Sequence, residues 1–459
     1  MLPEVKLAEI QAEISLPKSE KNISQEVLFL AAPAIGQYLL ETLVFLVDRL
    51  MLGRYDGDAL ASMQISSTLI WGISSLLSSV SIGSISLVGR AIGRGDRALA
   101  AATVRGSLIF AVLAGTLVSL FSFQSIENLV DLFPNSDAKV QQAAIDYISI
   151  LLPAMPLMLV SNFAATLLRS SGNTRSPFLV ALLSNAVNAF INYFLIYGNW
   201  GAPALGVRGA AIGSVAALAI NAIVLIILLS HKKAALTLRG RGGERAAIAR
   251  VLRIAGPAFG EEFVQHIGYF GYIAMLTSLG SAAMAANQAL ISIELICFLS
   301  ADGFGIAAAT IVAQYLGADR PHKANQGACW ATFLATALLM LFSLFFWLIP
   351  DELLQIFSHD SEIVAAGVPC LYIAAVAQPF MAISIVLGQS LRGAGDTKSA
   401  FYVACAGWLV VRLAATYLFT FVCHWGLVGV WLGSTCDWIV RSIVLVIVFL
   451  RGRWRYTLL

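Results

Sequence analysis

Charge is scarce in this sequence. Only 12% of the 459 residues are Asp, Glu, Lys or Arg, against about a quarter in ordinary soluble domains, and that scarcity excludes a soluble globular protein. Histidine is scarcer still. Of His231, His266, His322, His359 and His424, His266 alone falls inside an apolar run, so no histidine-based catalytic or metal set is available. The cysteines, Cys297, Cys329, Cys370, Cys405, Cys423 and Cys436, form no CxxC pair and read as packing residues. Residues 1–26 mix lysines and glutamates and contain no apolar core of a cleaved signal, which suits a cytoplasmic tail. No GxxxxGK[ST] loop is present, leaving ATP hydrolysis without a site. The formal charge of +3 is too small to point to a nucleic-acid partner; no cofactor is implied.

What the chain has instead is long apolar runs. Stopped at glycine, proline and charge clusters, they predict spans at 27–53, 59–82, 98–121, 140–167, 176–197 and 207–230, then 251–277, 284–310, 324–349, 363–389, 399–423 and 427–450. The expected fold is an all-α integral membrane protein with twelve transmembrane helices. Arg90, Arg94 and Arg97, then Arg169 and Arg175, Arg320 and Lys323, and Arg392 and Lys398 follow even-numbered spans, while 351–362 carries Asp351, Glu352, Asp360 and Glu362. Basic residues favour the cytoplasmic side, so both termini are expected there. Trp200, Trp347 and Trp425 stand near span ends, where indole rings form interfacial belts.

The polar segment 231–250 divides the spans into 27–230 and 251–450, with tails at 1–26 and 451–459. The halves match at a shift of 224 positions. Ala32-Pro33-Ala34 then meets Gly256-Pro257-Ala258, Gln64 meets Gln288 and Gly93 meets Gly317. One position off, Arg169, Gly172, Thr174 and Ser176 meet Arg392, Gly395, Thr397 and Ser399; nearer the end, at a shift of 220, Gly206, Gly209 and Gly213 match Gly426, Gly429 and Gly433. Six is even, so both repeats start on one side of the membrane. Parallel repeats of this kind form two pseudo-symmetric lobes around a central cavity in transporters.

Ionisable groups inside spans are costly in hydrocarbon and face a cavity or a partner. Gln37, Glu41 and Asp48 share one face of the first span, and Asn185, Asn188 and Asn192 share one face of the fifth. One or two carboxylates with amide oxygens suit a proton or a hard cation such as sodium, the latter at Asp48, Asn188 and Asn192. The asparagines are equally suited to hydrogen-bond two helices together. Asp48 has a competing partner in adjacent Arg49. In the second half, Glu261 and Glu262, Glu294 and Asp302 remain open as ion ligands; Asp302 precedes a glycine-rich stretch that it could cap or kink. Asp437 has Arg441 one turn away and Arg412 within reach, which reads as a structural ion pair. The turns Gly172-Asn173-Thr174-Arg175 and Gly395-Asp396-Thr397-Lys398 read as tight hairpins.

Pro33 eight residues before Glu41, the run Val47 to Gly53, Val88 to Gly95 and the two turns just named make residues 27–450 resemble the multidrug and toxic compound extrusion (MATE) family. The resemblance implies an antiporter in two six-helix lobes around a central cavity, exporting small organic cations by alternating access in exchange for H+ or Na+. It also implies a coupling acid on the first helix, where Asp48 stands. Departures from the family lie at Gln265, about Met381 and Asn192, where branches of the family carry acids. The expected cation-coupling set is therefore Asp48, Glu41, Asn185, Asn188 and Asn192. Gln37, Gln64, Gln265 and Glu294 are candidates for the substrate cavity. The expected setting is the lipid bilayer of a plasma or bacterial inner membrane, with the monomer as the working unit. Alternatives are a flippase or exporter of an amphiphilic lipid or metabolite of the same superfamily and, less favoured, an intramembrane enzyme.

Overall fold

The computed structural model describes residues 22–123, 125–131, 137–201, 203–231, 236, 238, 240 and 242–457. Residues 1–21 of the expected tail and Lys232, Lys233, Arg239 and Arg241 of the expected connecting segment lie outside the described residues. Among the described residues all regular structure is helical. The long helices are α1 Ile23–Tyr55, α2 Gly57–Arg94, α3 Arg97–Ser122, α4 Ala138–Ser170, α5 Arg175–Tyr197, α6 Val207–Ser230, α7 Glu244–Thr277, α8 Ser281–Gly317, α9 Pro321–Leu348, α10 Ser361–Ala394, α11 Thr397–Val422 and α12 Gly426–Leu450. Each predicted span lies inside one of them, overrunning by a single residue at the ends of α9 and α11, and several helices extend well beyond their span, α2 by twelve residues. Eleven are long and apolar enough to cross a membrane. The exception is α7, whose sequence carries Glu244, Arg245, Arg250, Arg253, Glu261 and Glu262. The chain is a multi-pass all-α membrane protein.

Local chemistry explains why the helices end where they do. The chain reverses between α4 and α5 at Gly172 (φ 91°) and between α10 and α11 at Gly395 (φ 86°), left-handed positions that glycine takes without a Cβ penalty. The next residue caps the new helix. Asn173 Oδ1 accepts from Ser176 N at 3.0 Å, and Asp396 Oδ1 accepts from Ser399 N at 3.2 Å, each satisfying an otherwise unpaired N–H of the first turn. These paired turns fix the hairpins that the two repeats share.

The helices group into two compact units. Among the described residues, one comprises Gly36–Leu252; the other takes residues 22–35 together with those from Arg253 onward. Both boundaries therefore fall inside helices, α1 and α7, each of which also contains a proline, Pro33 and Pro257. Proline removes one backbone donor and weakens the helix locally. In the second unit the start of α1 joins the core: Val27, Leu30 and Ala31 are buried with Phe304, Ala308 and Val312, and Tyr315 Oη donates to Glu26 Oε2 at 2.9 Å. In the first unit the start of α7 is tied down by Arg105 Nε on Glu244 Oε1 at 2.7 Å.

Small residues set the packing of α8 against α10. Ala301, Ala307, Ala308 and Ala309 on α8 and Ala374, Ala375, Ala377 and Ala382 on α10 are buried, which allows the close backbone approach typical of membrane helices. Asp302 neither caps nor kinks α8, which runs unbroken from Ser281 to Gly317; its Oδ1 instead accepts from Gln389 Nε2 on α10 at 2.9 Å. A side bond of this kind satisfies a carboxylate without interrupting the helix. On the outside of α3, Leu113, Leu117, Leu120 and Phe121 are all at least 65% exposed, an apolar stripe suited to lipid. A Cβ at Gly393 would overlap the backbone of Ala309. Gly393→Val should therefore force α8 and α10 apart and cost roughly 1–3 kcal/mol, read as a lower melting temperature in detergent; an unchanged value would contradict the packing described.

Candidate functional site

The polar face of α1 divides into two clusters about 10 Å apart along the axis. At the first, Gln37 Nε2 donates to Glu41 Oε1 at 2.9 Å. Arg169 of α4 lies close enough to attract the Glu41 carboxylate and stands 5.9 Å from the Tyr38 ring centre. At the second, Asp48 is buried, and Asn192 Nδ2 of α5 donates to its Oδ1 at 2.7 Å. The Asn188 amide, in the orientation that suits its neighbours, donates to the same oxygen at 3.0 Å and accepts from Ser214 N of α6 at 3.2 Å. Tyr147 of α4 is buried beside Ser214 and Asp48. Helices α1, α4, α5 and α6 thus converge on one carboxylate.

Two features make this possible. The spacing of Asn188 and Asn192 places both amides on one face of α5. Gly213 of α6 then makes room, because a Cβ there would overlap Asn192 Oδ1. That oxygen is buried and has no hydrogen-bond partner, an unused acceptor next to the acid. The hydrogen bonds to Asp48 come from the neutral amides of Asn192 and Asn188. Arg49 is engaged elsewhere: its guanidinium lies 4.2 Å from the Phe45 ring centre, with Nη2 at 3.5 Å from Gln64 Oε1.

The remaining candidates fall in different places. Asn185 is half-buried with an unpartnered Nδ2, and no hydrogen bond joins it to Asp48. Gln64, exposed on α2, meets Arg49 of α1. Gln265 is half-buried on α7. Glu294 belongs to the second unit, where Gln378 Nε2 approaches its Oε1 at 3.5 Å. Two other acids of that unit are ion-paired: Arg392 donates to both oxygens of Glu261, and Asp437 Oδ2 accepts from Arg412 Nε at 2.9 Å and Arg441 Nη2 at 2.7 Å. Sequence reasoning did not single out Tyr147 or Ser214, which sit in apolar stretches with no spacing signal. The repeated glycines had marked Gly213 as a point of repeat symmetry, but not as a neighbour of Asn192.

A carboxylate with only neutral donors differs chemically from one held by guanidiniums. The first can gain or lose a charge without stranding a charged partner; the second is fixed, since removing either partner strands a buried charge. Asp48 is of the first kind. If Gly213 is the clearance for Asn192, Gly213→Ala should cost roughly 1–3 kcal/mol, and Asn192→Ala in the same chain should recover part of that loss. Thermal denaturation of the two single variants and the double variant tests this coupling; simple additivity would show that the two sites are independent.

Comparison with known proteins follows the same lines. The MatE family model matches residues 33–194 and 257–418, once in each repeat. The "Probable multidrug resistance protein NorM" of Thermotoga maritima is 27% identical over 96% of this chain and 95% of its own length. That of Pseudomonas aeruginosa is 26% identical over 89% of the chain and 85% of its own, and the "Uncharacterized transporter YisQ" of Bacillus subtilis is 24% identical over 89% of each. Among solved structures, one described as the outward-facing conformation of a multidrug resistance MATE family transporter of the MOP superfamily superposes with a TM-score of 0.88. It shares 19% identity and covers 96% of this chain and all of its own. A second, described as MATE in complex with MaL6, has a TM-score of 0.86 at 19% identity, covering 95% of this chain and 98% of its own.

Proposed function

We propose that this chain, which belongs to the MatE family of membrane transporters, exports small organic cations in exchange for a proton carried by Asp48. The observation that carries this reading is the 2.7 Å bond from Asn192 Nδ2 to Asp48 Oδ1 in a buried cluster of neutral partners. Ionised, the carboxylate accepts N–H bonds from α5. Protonated, it becomes a donor and needs an acceptor, and the unpartnered Asn192 Oδ1 supplies one after a turn of the amide. Loading a proton therefore rearranges the α1–α5 contact, and a ligand shifts a conformational equilibrium only through such a difference between states.

The same carboxylate explains exchange. A cationic cargo gains from the Asp48 charge only while that charge exists, so proton binding lowers cargo affinity and favours release. Glu41, held by Gln37 and two helical turns before Asp48, is positioned to assist a cation on the same face of α1. The multidrug names of the relatives support a broad cargo range, and aromatic residues (Phe 25, Tyr 12, Trp 9) furnish faces for flat cations. The basic residues of the even-numbered loops support cytoplasmic termini, with the protein in a plasma or bacterial inner membrane.

Sodium is the second reading, favoured by one observation. The unpartnered Asn192 Oδ1 next to Asp48 is a hard oxygen of the type that sodium prefers, and with Asn188 it would complete a set of carboxylate and amide donors.

Reconstitution separates these readings. Vesicles loaded with a fluorescent organic cation are given a proton gradient or a sodium gradient separately. Gradient-driven flux is expected under the proton gradient alone and is expected to vanish in Asp48→Asn at wild-type folded yield, with Glu41→Gln slower but active. Wild-type flux in Asp48→Asn would overturn the assignment, and a response to sodium alone would replace the proton by sodium.

A further inference from the structure

The repeat relation places a second polar cluster opposite in sign to the first. At the shift of 224 positions that aligns the proline motifs, Asp48 corresponds to Tyr272, Asn188 to Arg412 and Asn192 to Thr416. The packing shows the same register. In the first unit Gly209 lies against the backbone of Leu195 and Gly213 against Asn192; in the second, Gly429 lies against the backbone of Phe419 and Gly433 against Thr416. An acid with two amides in one repeat is thus a phenol, a guanidinium and a hydroxyl in the other. The local charge has changed from negative to positive.

Arg412 is 7% exposed and Arg441 of α12 is 8% exposed, and both bond the same oxygen of Asp437. Two guanidiniums on one carboxylate leave a surplus positive charge, which is costly in an apolar lobe. The arginines lie on indole faces, Arg412 4.0 Å from the Trp408 ring centre and Arg441 4.1 Å from that of Trp438. Stacking occupies the flat faces and leaves the in-plane N–H groups for an acceptor. Neither Arg412 Nη2 nor Arg441 Nε has one. The hydroxyls of Thr416 and Thr420, one and two turns beyond Arg412, are buried and equally without partners. Asp437 Oδ1 is unpartnered as well, so the unused donors outnumber the unused carboxylate acceptors. Two further acids act on the arginines through space only: Glu261, held by Arg392, on Arg441, and Glu294, bonded to Gln378, on Arg412.

Helix geometry sets this seam apart. Over Ala406–Arg412 and Leu418–Val422, α11 is wound as a π-helix, a conformation that is rare and concentrated at functional sites. Glycines close the seam from both sides: a Cβ at Gly407 would overlap Asp437 and Arg441, and one at Gly433 would overlap Thr416. A purely structural ion pair would use both carboxylate oxygens and the forked donors of arginine, and this one uses a single oxygen.

We propose that the α11–α12 seam binds a small monovalent anion, a halide or the carboxylate of a small acid, at Arg412 and Arg441 with Thr416 and Thr420 alongside. The site is the repeat-related counterpart of the Asp48 cluster with its charge inverted, and it does not depend on Asp48 being the coupling residue.

The test uses the full-length protein in detergent, melted in sodium chloride, sodium acetate or sodium gluconate at equal sodium concentration. Gluconate is too bulky for a seam closed by glycines. Chloride or acetate is expected to raise the melting temperature saturably over gluconate, as a ligand of the folded state does. Chloride alone would identify a halide site, acetate alone a carboxylate site, and both a general small-anion site. In Thr416→Val/Thr420→Val, which alters no charge, the half-saturating concentration should rise about tenfold; Arg412→Lys should weaken the response further, and Asp48→Asn should keep it. Iodide should quench tryptophan fluorescence with a saturating component that the threonine double variant loses. Equal melting temperatures in all three salts, or a salt response unaltered in both the threonine and Arg412→Lys variants, would overturn the proposal.

Discussion

An ionised side chain among apolar helices has to be compensated locally, and the polar organisation of this protein follows from how each such charge is met. Insertion of an uncompensated acid costs several kcal/mol, so no charge in the spans is incidental. Asp48 is met by amides and Asp437 by guanidiniums. The two solutions have opposite consequences. Amide donors stabilise an ionised carboxylate without adding a charge of their own, which leaves the acid free to change state. Flanking arginines remove that freedom, because neutralising Asp437 would leave two buried cations facing each other.

The duplication shows where this chemistry was free to diverge. Both repeats keep the glycine that lets the sixth helix approach the fifth, Gly213 against Asn192 and Gly433 against Thr416. Both keep the left-handed glycine and the capping residue at the hairpin before the fifth helix. The backbone problem was the same in each and was solved the same way. What changed is the set of side chains carried at those positions, since a hydroxyl fits where an amide does, and a guanidinium fits where indole rings shelter it. Fold and function are thus encoded at different positions, backbone geometry in glycines and turns, and charge in the residues between them.

Much of this was legible in the sequence. Apolar length predicted every long helix, because a span in lipid must satisfy its backbone internally and so has a minimum length. The 3.6-residue period placed Asn188 and Asn192 on one face of α5 and Gln37, Glu41 and Asp48 on one face of α1. That period could not say how the faces meet. Asp48 reaches Asn188 and Asn192, while Asn185, on the same stripe, has no bond to the acid. Helix–helix register is fixed by small residues such as Gly213, whose role becomes visible only when both helices are placed. Tyr147 and Ser214 were silent for a related reason: one is an aromatic in an apolar run, and the other contributes a backbone N–H. Asp302 gave a misleading signal, since glycines after an acid suggest a cap in water, whereas Gln389 on a neighbouring helix supplies the missing donor here.

The charge inversion between repeats also bears on why one lobe would suffice for the proposed coupling. Exchange requires a site whose charge the cargo and the ion both need, so that occupancy by one excludes the other. A single carboxylate with neutral neighbours meets that condition. A second identical acid in the other repeat would add another buried charge to compensate and a second proton to move in each cycle. At the corresponding position stands Tyr272, whose hydroxyl is satisfied by Asn287 Oδ1 at 3.0 Å, a neutral group that demands no counter-charge. Relative to the first lobe, Tyr272 in place of the acid means one negative charge fewer, and Arg412 in place of the amide means one positive charge more. Asp437 and the indole faces absorb part of that excess, and what remains is a set of oriented, unsatisfied donors in a seam too tight for any large partner.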